Sequence, residues 1–174
     1  MRQHLTSQEL EDHFTPLPED TAVLGQKTGA NRLGCAILLK CLQWEGRFPA
    51  AWQEVPRDAI HHLAQIGGIP FERHRQYDLD GRLARYHKDQ IRQWTGFRPG
   101  TTDDAEAITA WACDNTRVEE ATASHLASQV TERYQELKIE LPTPLRLDRL
   151  AHSAVQTIEG QFFTELSQAL TPAV

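Results

Sequence analysis

The feature that most constrains this chain is an apolar run, Leu33-Gly34-Cys35-Ala36-Ile37-Leu38-Leu39-Lys40-Cys41-Leu42. A turn signal, Thr28-Gly29-Ala30-Asn31, stands directly before it. A helix over this run would be apolar on nearly every face, and such a helix is usually buried inside a domain. The run therefore predicts a central helix around which other helices pack.

Helix signals recur along the rest of the chain, and strand signals are few. Thr6-Ser7-Gln8-Glu9 has the pattern of a capping box. Pro56 suits the first position of a helix that Gly67-Gly68 would end. Asp80 could cap the helix after it. The expected further helices cover residues 20–27, 81–95, 103–115, 119–138 and 146–170.

This succession predicts an all-α chain. It would consist of tandem small helical units, similar to helix-turn-helix units, followed by a connecting amphipathic helix. Gly67-Gly68 and Leu141-Pro142-Thr143-Pro144 interrupt the helical pattern. The expected units are therefore 1–68 and 69–140, with the connecting helix over 141–174.

Composition argues against several classes of protein. No apolar run approaches the roughly 18 residues that a membrane span needs. The start, Met1-Arg2-Gln3-His4-Leu5, lacks the apolar stretch of a secretory signal, so a cytoplasmic protein without a membrane partner is expected. Cys35, Cys41 and Cys113 form no CxxC pair. Buried thiols are expected there, and neither a metal site nor a cofactor.

Charge is unevenly distributed along the chain. The net charge is −6, yet residues 31–98 contain eleven Lys and Arg against seven Asp and Glu. An acidic stretch follows from Asp103 to Glu140. Because the distribution of charge matters more than its sum, the basic block is a candidate footprint for a polyanion such as nucleic acid.

The expected helix over residues 81–95 has two contrasting sides. At about 100° per residue, one side is apolar, with Leu83, Tyr86, His87, Ile91 and Trp94. The opposite side is basic, with Arg82, Arg85, Lys88 and Arg92 around Asp89. Arginine binds phosphate oxygens or guanine edges, so this side is the first candidate DNA contact. A solvated helix face is the alternative.

Other cations are secondary candidates. Arg73, His74 and Arg75 precede that helix and would contact the sugar-phosphate backbone, unless they form a hydrated loop. Asn31 and Arg32 open the apolar helix, where an N-terminus favours phosphate. The alternative there is an N-cap Asn beside a surface Arg. Arg98 follows a turn at Gly96.

Several strings together resemble the N-terminal, DNA-recognising region of Tn-three-family replicative transposases. They are Leu5-Thr6-Ser7-Gln8-Glu9-Leu10, Phe14-Thr15, Asn31-Arg32-Leu33-Gly34-Cys35-Ala36, Gly46-Arg47-Phe48-Pro49, Val55-Pro56, Tyr77, Gly81-Arg82, Ile91-Arg92, Gly96-Phe97-Arg98 and the segment Leu141-Pro142 to Leu150. The resemblance runs from Leu5 to Phe163. Cys35 departs from it, since an aromatic residue is common at that position.

The resemblance implies that units 1–68 and 69–140 bind the terminal inverted repeats of a transposon. The family's Asp/Asp/Glu catalytic carboxylates lie in a part that follows the resembling region. No catalytic centre is therefore expected in this chain, which would be part of a transposase. Asp103 and Asp104 fit a helix start instead.

Two other functions stay open. One is a helical protein-interaction or dimerisation module, formed by the helices over 119–138 and 146–170. The other is a short stand-alone regulator that occupies the repeats. The expected partner is double-stranded DNA, with a homo-oligomer as an open option.

Overall fold

The computed structural model describes residues 4–170, which form α-helices and short 3₁₀ helices and no β-strand. The predicted all-α class is confirmed. The α-helices are α1 (Ser7–Phe14), α2 (Thr21–Leu24), α3 (Gly29–Glu45), α4 (Arg57–Ile66), α5 (Arg82–Thr95), α6 (Thr102–Asp114), α7 (Ala123–Glu136) and α8 (Pro144–Leu170). The 3₁₀ helices are Pro18–Asp20, Trp52–Glu54, Phe71–Gln76 and Val118–Glu120. No helix among these residues is long and apolar enough to cross a membrane.

Local capping signals are confirmed in part. The Thr6 hydroxyl accepts from the Glu9 N–H at 3.2 Å, and the Glu9 carboxylate accepts from the Thr6 N–H at 2.9 Å. The predicted cap at Asp80 is wrong. Gly81 is the N-cap of α5, and the Asp80 N–H instead donates to the Asp78 carboxylate at 3.0 Å. An aspartate whose side chain accepts a hydrogen bond from the backbone N–H two residues later forms a local turn. Asp78 forms this turn with Asp80, and Asp80 therefore does not cap α5.

The chain divides into two compact units, one ending at Arg98 and the other beginning at Pro99. The expected boundaries at residues 68 and 140 fall inside these units. The segment after Gly68 packs back on α3 through α5 and the 3₁₀ helix Phe71–Gln76. Helix α8 likewise packs on α6 and α7, so it belongs to the second unit.

Helix α3 is the centre of the first unit, as the apolar run predicts. Every residue from Leu33 to Leu42 is buried. Helices α1, α2, α4 and α5 all contact it. Cys35 and Cys41 are fully buried thiols within it.

Lys40 is the one charged residue in this buried stretch. Its Nζ lies 2.6 Å from Oδ2 of Asp20, and both side chains are at most 4% exposed. The Leu17 N–H and the Gln43 amide also donate to Asp20, at 2.8 and 3.1 Å. Burial opposes ionisation of this carboxyl, but the Lys40 ammonium and the other donors outweigh it and lower the pKa of Asp20. Lys40 is therefore a core residue, and it does not contribute to the exposed charge of the basic block.

Gly34 is a position where another part of the unit lies close against α3. A Cβ at this position would overlap the ring of Tyr77. The Tyr77 hydroxyl lies 2.8 Å from Nδ1 of His87, and the two rings stack at 5.7 Å with an interplanar angle of 8°. Trp52 Nε1 donates to the Tyr77 carbonyl at 3.2 Å. Tyr77 thus joins α3 to α5.

The second unit has its own core, built by α6, α7 and α8. Ile108, Leu126, Val130 and Tyr134 are buried in it. Helix α8 contributes Ala151, Ala154 and Ile158, after which every residue from 159 to 170 is exposed.

Replacing Gly34 with Ala should destabilise the first unit. Alanine is the better helix former by about 1 kcal/mol, but overpacking against the Tyr77 ring should cost about 1–3 kcal/mol. Gly160→Ala is the matched control, because nothing lies within 4 Å of its Cβ position in α8. Urea unfolding followed by circular dichroism should show Gly34→Ala weakened and Gly160→Ala unchanged or strengthened. Equal effects at the two sites would contradict this packing.

Candidate nucleic-acid interface

Helix α5 packs on the core through a narrow stripe, formed by Ala84, His87 and Ile91. Of the apolar side that periodicity indicates, His87 and Ile91 are buried. Leu83, Tyr86 and Trp94 of the same side are 42%, 58% and 43% exposed. The small side chain of Ala84 lets the helix approach the core closely, and this rotates the larger apolar side chains toward solvent.

The start of α5 presents two arginines and a phenol to solvent. Arg82, Arg85 and Tyr86 are all exposed. Arg85 Nε donates to the Asp80 carbonyl at 3.2 Å, and the Tyr86 hydroxyl accepts from Gln90 at 3.0 Å. The first turn contains no acidic residue. This exposed start, Arg82 to Tyr86, is here named the α5 surface.

Lys88 and Arg92 lie on the flank of α5 and are half-buried. Both cations sit over the Phe48 ring, at 5.8 and 5.3 Å from its centroid. Lys88 Nζ also donates to the Leu79 carbonyl at 3.1 Å, and Arg92 pairs with Asp89 at 2.7 Å. The predicted four-residue basic face is thus split, with two members engaged in packing.

A second basic feature lies where α3 begins. Lys27, Arg32 and Arg73 line one groove of about 500 Å³, and no carboxylate lines it. Arg32 Nη1 donates to the Gly25 carbonyl at 3.4 Å, and Arg73 Nη1 donates to Gln76 at 2.9 Å. Sequence reasoning missed Lys27, because it precedes the block that begins at Asn31. We name this feature the α3 groove.

The remaining candidates are dispersed. Asn31 is exposed in the first turn of α3, but the N-cap is Thr28, so the alternative of an N-cap Asn is wrong. Arg75 and Arg98 are exposed. His74 is only 7% exposed, and its Nδ1 lies 2.6 Å from the Phe71 carbonyl, so it is a packing residue.

Net charge differs between the two units. Residues 1–98 contain thirteen Lys and Arg against twelve Asp and Glu, and residues 99–174 contain five against twelve. Within the first unit, Arg47 is held by Glu54 at 2.7 Å and Glu45 at 3.5 Å. Among residues 4–98, the exposed cations are Arg57, Arg73, Arg75, Arg82, Arg85 and Arg98.

Acidic side chains of the second unit are dispersed. The Asp104 carboxylate accepts from the Thr101 N–H at 2.8 Å and caps α6, as its place at a helix start predicts. Among residues 4–170, no three His, Cys, Asp or Glu side chains come together in a way that could hold a metal ion.

The contact between His87 of α5 and Tyr77 should make the free energy of unfolding of the first unit depend on pH. Burial, with a smaller effect of the nearby Lys27 cation, lowers the pKa of His87 to about 4. The fold thus favours neutral His87, whereas the unfolded chain takes up a proton near pH 6.5. This stability is complete above pH 6.5 and is lost as the pH falls toward 4, by about 1.4 kcal/mol per unit.

Urea unfolding at pH 7 and pH 5 measures this loss. His87→Gln keeps a hydrogen-bonding group near Tyr77 but does not titrate, so its free energy of unfolding should fall less between the two pH values. An identical fall in wild type and variant would show that other groups cause it.

No curated protein matches this chain. A family model described as a domain of unknown function, DUF4158, matches residues 1–154 of the 174, which include the whole first unit and most of the second. The chain therefore belongs to the DUF4158 family.

Proposed function

We propose that the first unit binds double-stranded DNA, with the α5 surface lying in the major groove. The observation that carries this proposal is the exposed start of α5, where two arginines and a tyrosine project from one helix without an acidic residue in the first turn. The N-terminal residues of a recognition helix are those that reach base edges in helix-turn-helix proteins. Arginine is also the residue that most often reads guanine.

The α3 groove supplies the positioning contacts of this proposal. Half or more of protein–DNA hydrogen bonds go to phosphate and sugar. Arg32 and Arg73, with Lys27, line a groove that no carboxylate shares. The exposed glycines Gly67 and Gly68 lie at the same groove and leave room for a backbone to approach.

We propose that the target is the terminal inverted repeat of a transposon, and that the chain acts as a DNA-recognising part of a transposase. Two observations support this target. The DUF4158 family is associated with transposases. The strings from Leu5 to Phe163 resemble the N-terminal region of Tn-three-family enzymes. The catalytic carboxylates of such an enzyme would lie outside the resembling region.

An interaction module is a second candidate for the second unit. Helix α8 continues for a further twelve residues after its last buried residue, Ile158. Phe163 and Leu170 there are 65% and 77% exposed. Exposed aromatic and aliphatic side chains of this kind are typical of protein contacts, and the excess of acidic residues disfavours DNA on this unit.

Replacing Arg82 and Arg85 with Gln should weaken binding to a repeat-end duplex about tenfold or more, since a good arginine contact contributes about 1–3 kcal/mol. Fluorescence anisotropy over a range of salt concentrations measures the effect. Wild type should show a log–log slope of roughly −0.9 per phosphate neutralised. If the arginines touch phosphate, the variant's slope should be shallower. If they read bases, the variant should lose its preference over scrambled duplex.

The control is Arg117→Gln with Arg149→Gln, which removes the same charge from exposed positions of the second unit. Its affinity should stay near that of wild type. If both double variants lost the same affinity, the effect would come from net charge and not from the position of Arg82 and Arg85. If the chain bound no DNA at low salt, the proposal would be overturned and the interaction module would be the remaining candidate function.

The chain alone should not cleave DNA when Mg²⁺ or Mn²⁺ is supplied. Metal-dependent cleavage of DNA generally needs ions held by convergent carboxylates. Glu132 and Glu136 lie one turn apart on α7, but both are exposed and Glu136 is paired with Arg133 at 2.9 Å. Supercoiled plasmid bearing the repeats should remain intact. Nicking that disappears in the Glu132→Gln, Glu136→Gln variant would identify an active site.

A further inference from the structure

The first unit contains a cavity that the proposed DNA surface does not use. Its volume is about 640 Å³. It is lined by residues 52–57, by Phe71, His74 and Arg75 of the 3₁₀ helix Phe71–Gln76, and by His4 and Ile60. Cavities of about 300–1,000 Å³ are typical of small-molecule sites. Of the residues predicted to contact DNA, His74 and Arg75 line it.

Three aromatic rings form part of its wall, from Trp52, Phe71 and His74. Each ring is held in place by contacts with its neighbours. Phe71 stacks on His61 at 3.7 Å with an interplanar angle of 3°. Trp52 is fixed by its bond to the Tyr77 carbonyl, and the Trp52 and His74 rings meet edge to face at 5.0 Å. A wall of fixed rings favours a flat aromatic ligand, because little side-chain freedom is lost on binding.

Two exposed guanidinium groups share this cavity, from Arg57 and Arg75. Arg57 lies over the Phe71 ring, with Cζ 5.4 Å from the centroid. The carboxylate in the lining, Glu54, is already engaged by Arg47 at 2.7 Å and by the Ala50 N–H at 3.3 Å. Asp58, next to Arg57 in sequence, is engaged by the Leu5 N–H at 3.3 Å and by His4 at 3.4 Å. The charge at the cavity therefore favours an anion.

We propose that this cavity binds a nucleotide, with the base against the rings of Trp52, Phe71 and His74 and the phosphate held by Arg57 and Arg75. A nucleotide has both a flat ring, which the aromatic side chains favour, and an anionic phosphate, which the two guanidinium groups favour. Base stacking on aromatic side chains and guanidinium–phosphate bonds are the usual means of binding one. The ligand is either a free mononucleotide or an unpaired nucleotide at a DNA end, and the site does not depend on the α5 surface.

Isothermal titration of the full chain with adenosine 5′-monophosphate tests the proposal, with ribose 5-phosphate as the probe that lacks a base. The mononucleotide should bind, and ribose 5-phosphate should bind at least about tenfold more weakly. Arg57→Gln with Arg75→Gln should weaken mononucleotide binding about tenfold or more. Arg82→Gln with Arg85→Gln should leave it unchanged. Because Arg57 packs on Phe71, Arg75→Gln alone is the variant to use if the double variant melts early.

Two duplexes distinguish the sources of the ligand, one blunt and one with a single unpaired 5′ nucleotide. Tighter binding of the overhang, lost in the Arg75→Gln variant, assigns the cavity to a DNA end. Equal binding of the two duplexes, together with mononucleotide binding, assigns it to a free nucleotide. The proposal is overturned if no mononucleotide binds, if ribose 5-phosphate binds as tightly, or if the cavity variants have no effect. None of these results would contradict the proposed duplex binding through Arg82 and Arg85.

Discussion

The first unit depends on one buried ion pair, which joins its central helix to the segment before it. Lys40 is buried on α3, and an ammonium group without a partner in such a place costs several kcal/mol. Its carboxylate comes from Asp20, twenty residues earlier, so the chain before α3 must fold back over the helix. Asp20 in turn holds the Leu17 N–H and the Gln43 amide. The ion pair between Lys40 and Asp20 thereby fixes the path of residues 17–20 against α3.

The exposed surface follows from packing around the same helix. Because Gly34 has no side chain, the Tyr77 ring lies directly on α3, and Tyr77 holds His87 of α5. Ala84 and Ile91 lie on the same buried line as His87. This line sets the rotation of α5 about its axis, and the rotation turns Arg82, Arg85 and Tyr86 to solvent. The candidate interface is therefore determined by contacts in the core.

Sequence reasoning predicted what depends on neighbours along the chain. The capping box at Thr6, the buried run from Leu33 and the all-α class are local patterns, and all three are confirmed. It failed where partners are distant in sequence. Periodicity grouped Leu83 and Trp94 with His87 and Ile91, but in the fold Leu83 and Trp94 are exposed and the small Ala84 is buried. Lys40 and Arg47 were counted in the charge of the basic block, but in the fold each pairs with a carboxylate, Lys40 with Asp20 and Arg47 with Glu54. Lys27 joins Arg73 only through the tertiary structure.

If the proposed binding of DNA is correct, the difference in charge between the units affects how the protein searches a genome. Duplex DNA would repel an acidic second unit wherever it came within about 8 Å at physiological salt. Occupancy of random sequence then falls, because non-specific binding is almost wholly electrostatic. Short-range contacts from a few arginines are less affected. An overall charge of −6 would thus cost affinity everywhere and favour residence at the sites that those arginines fit.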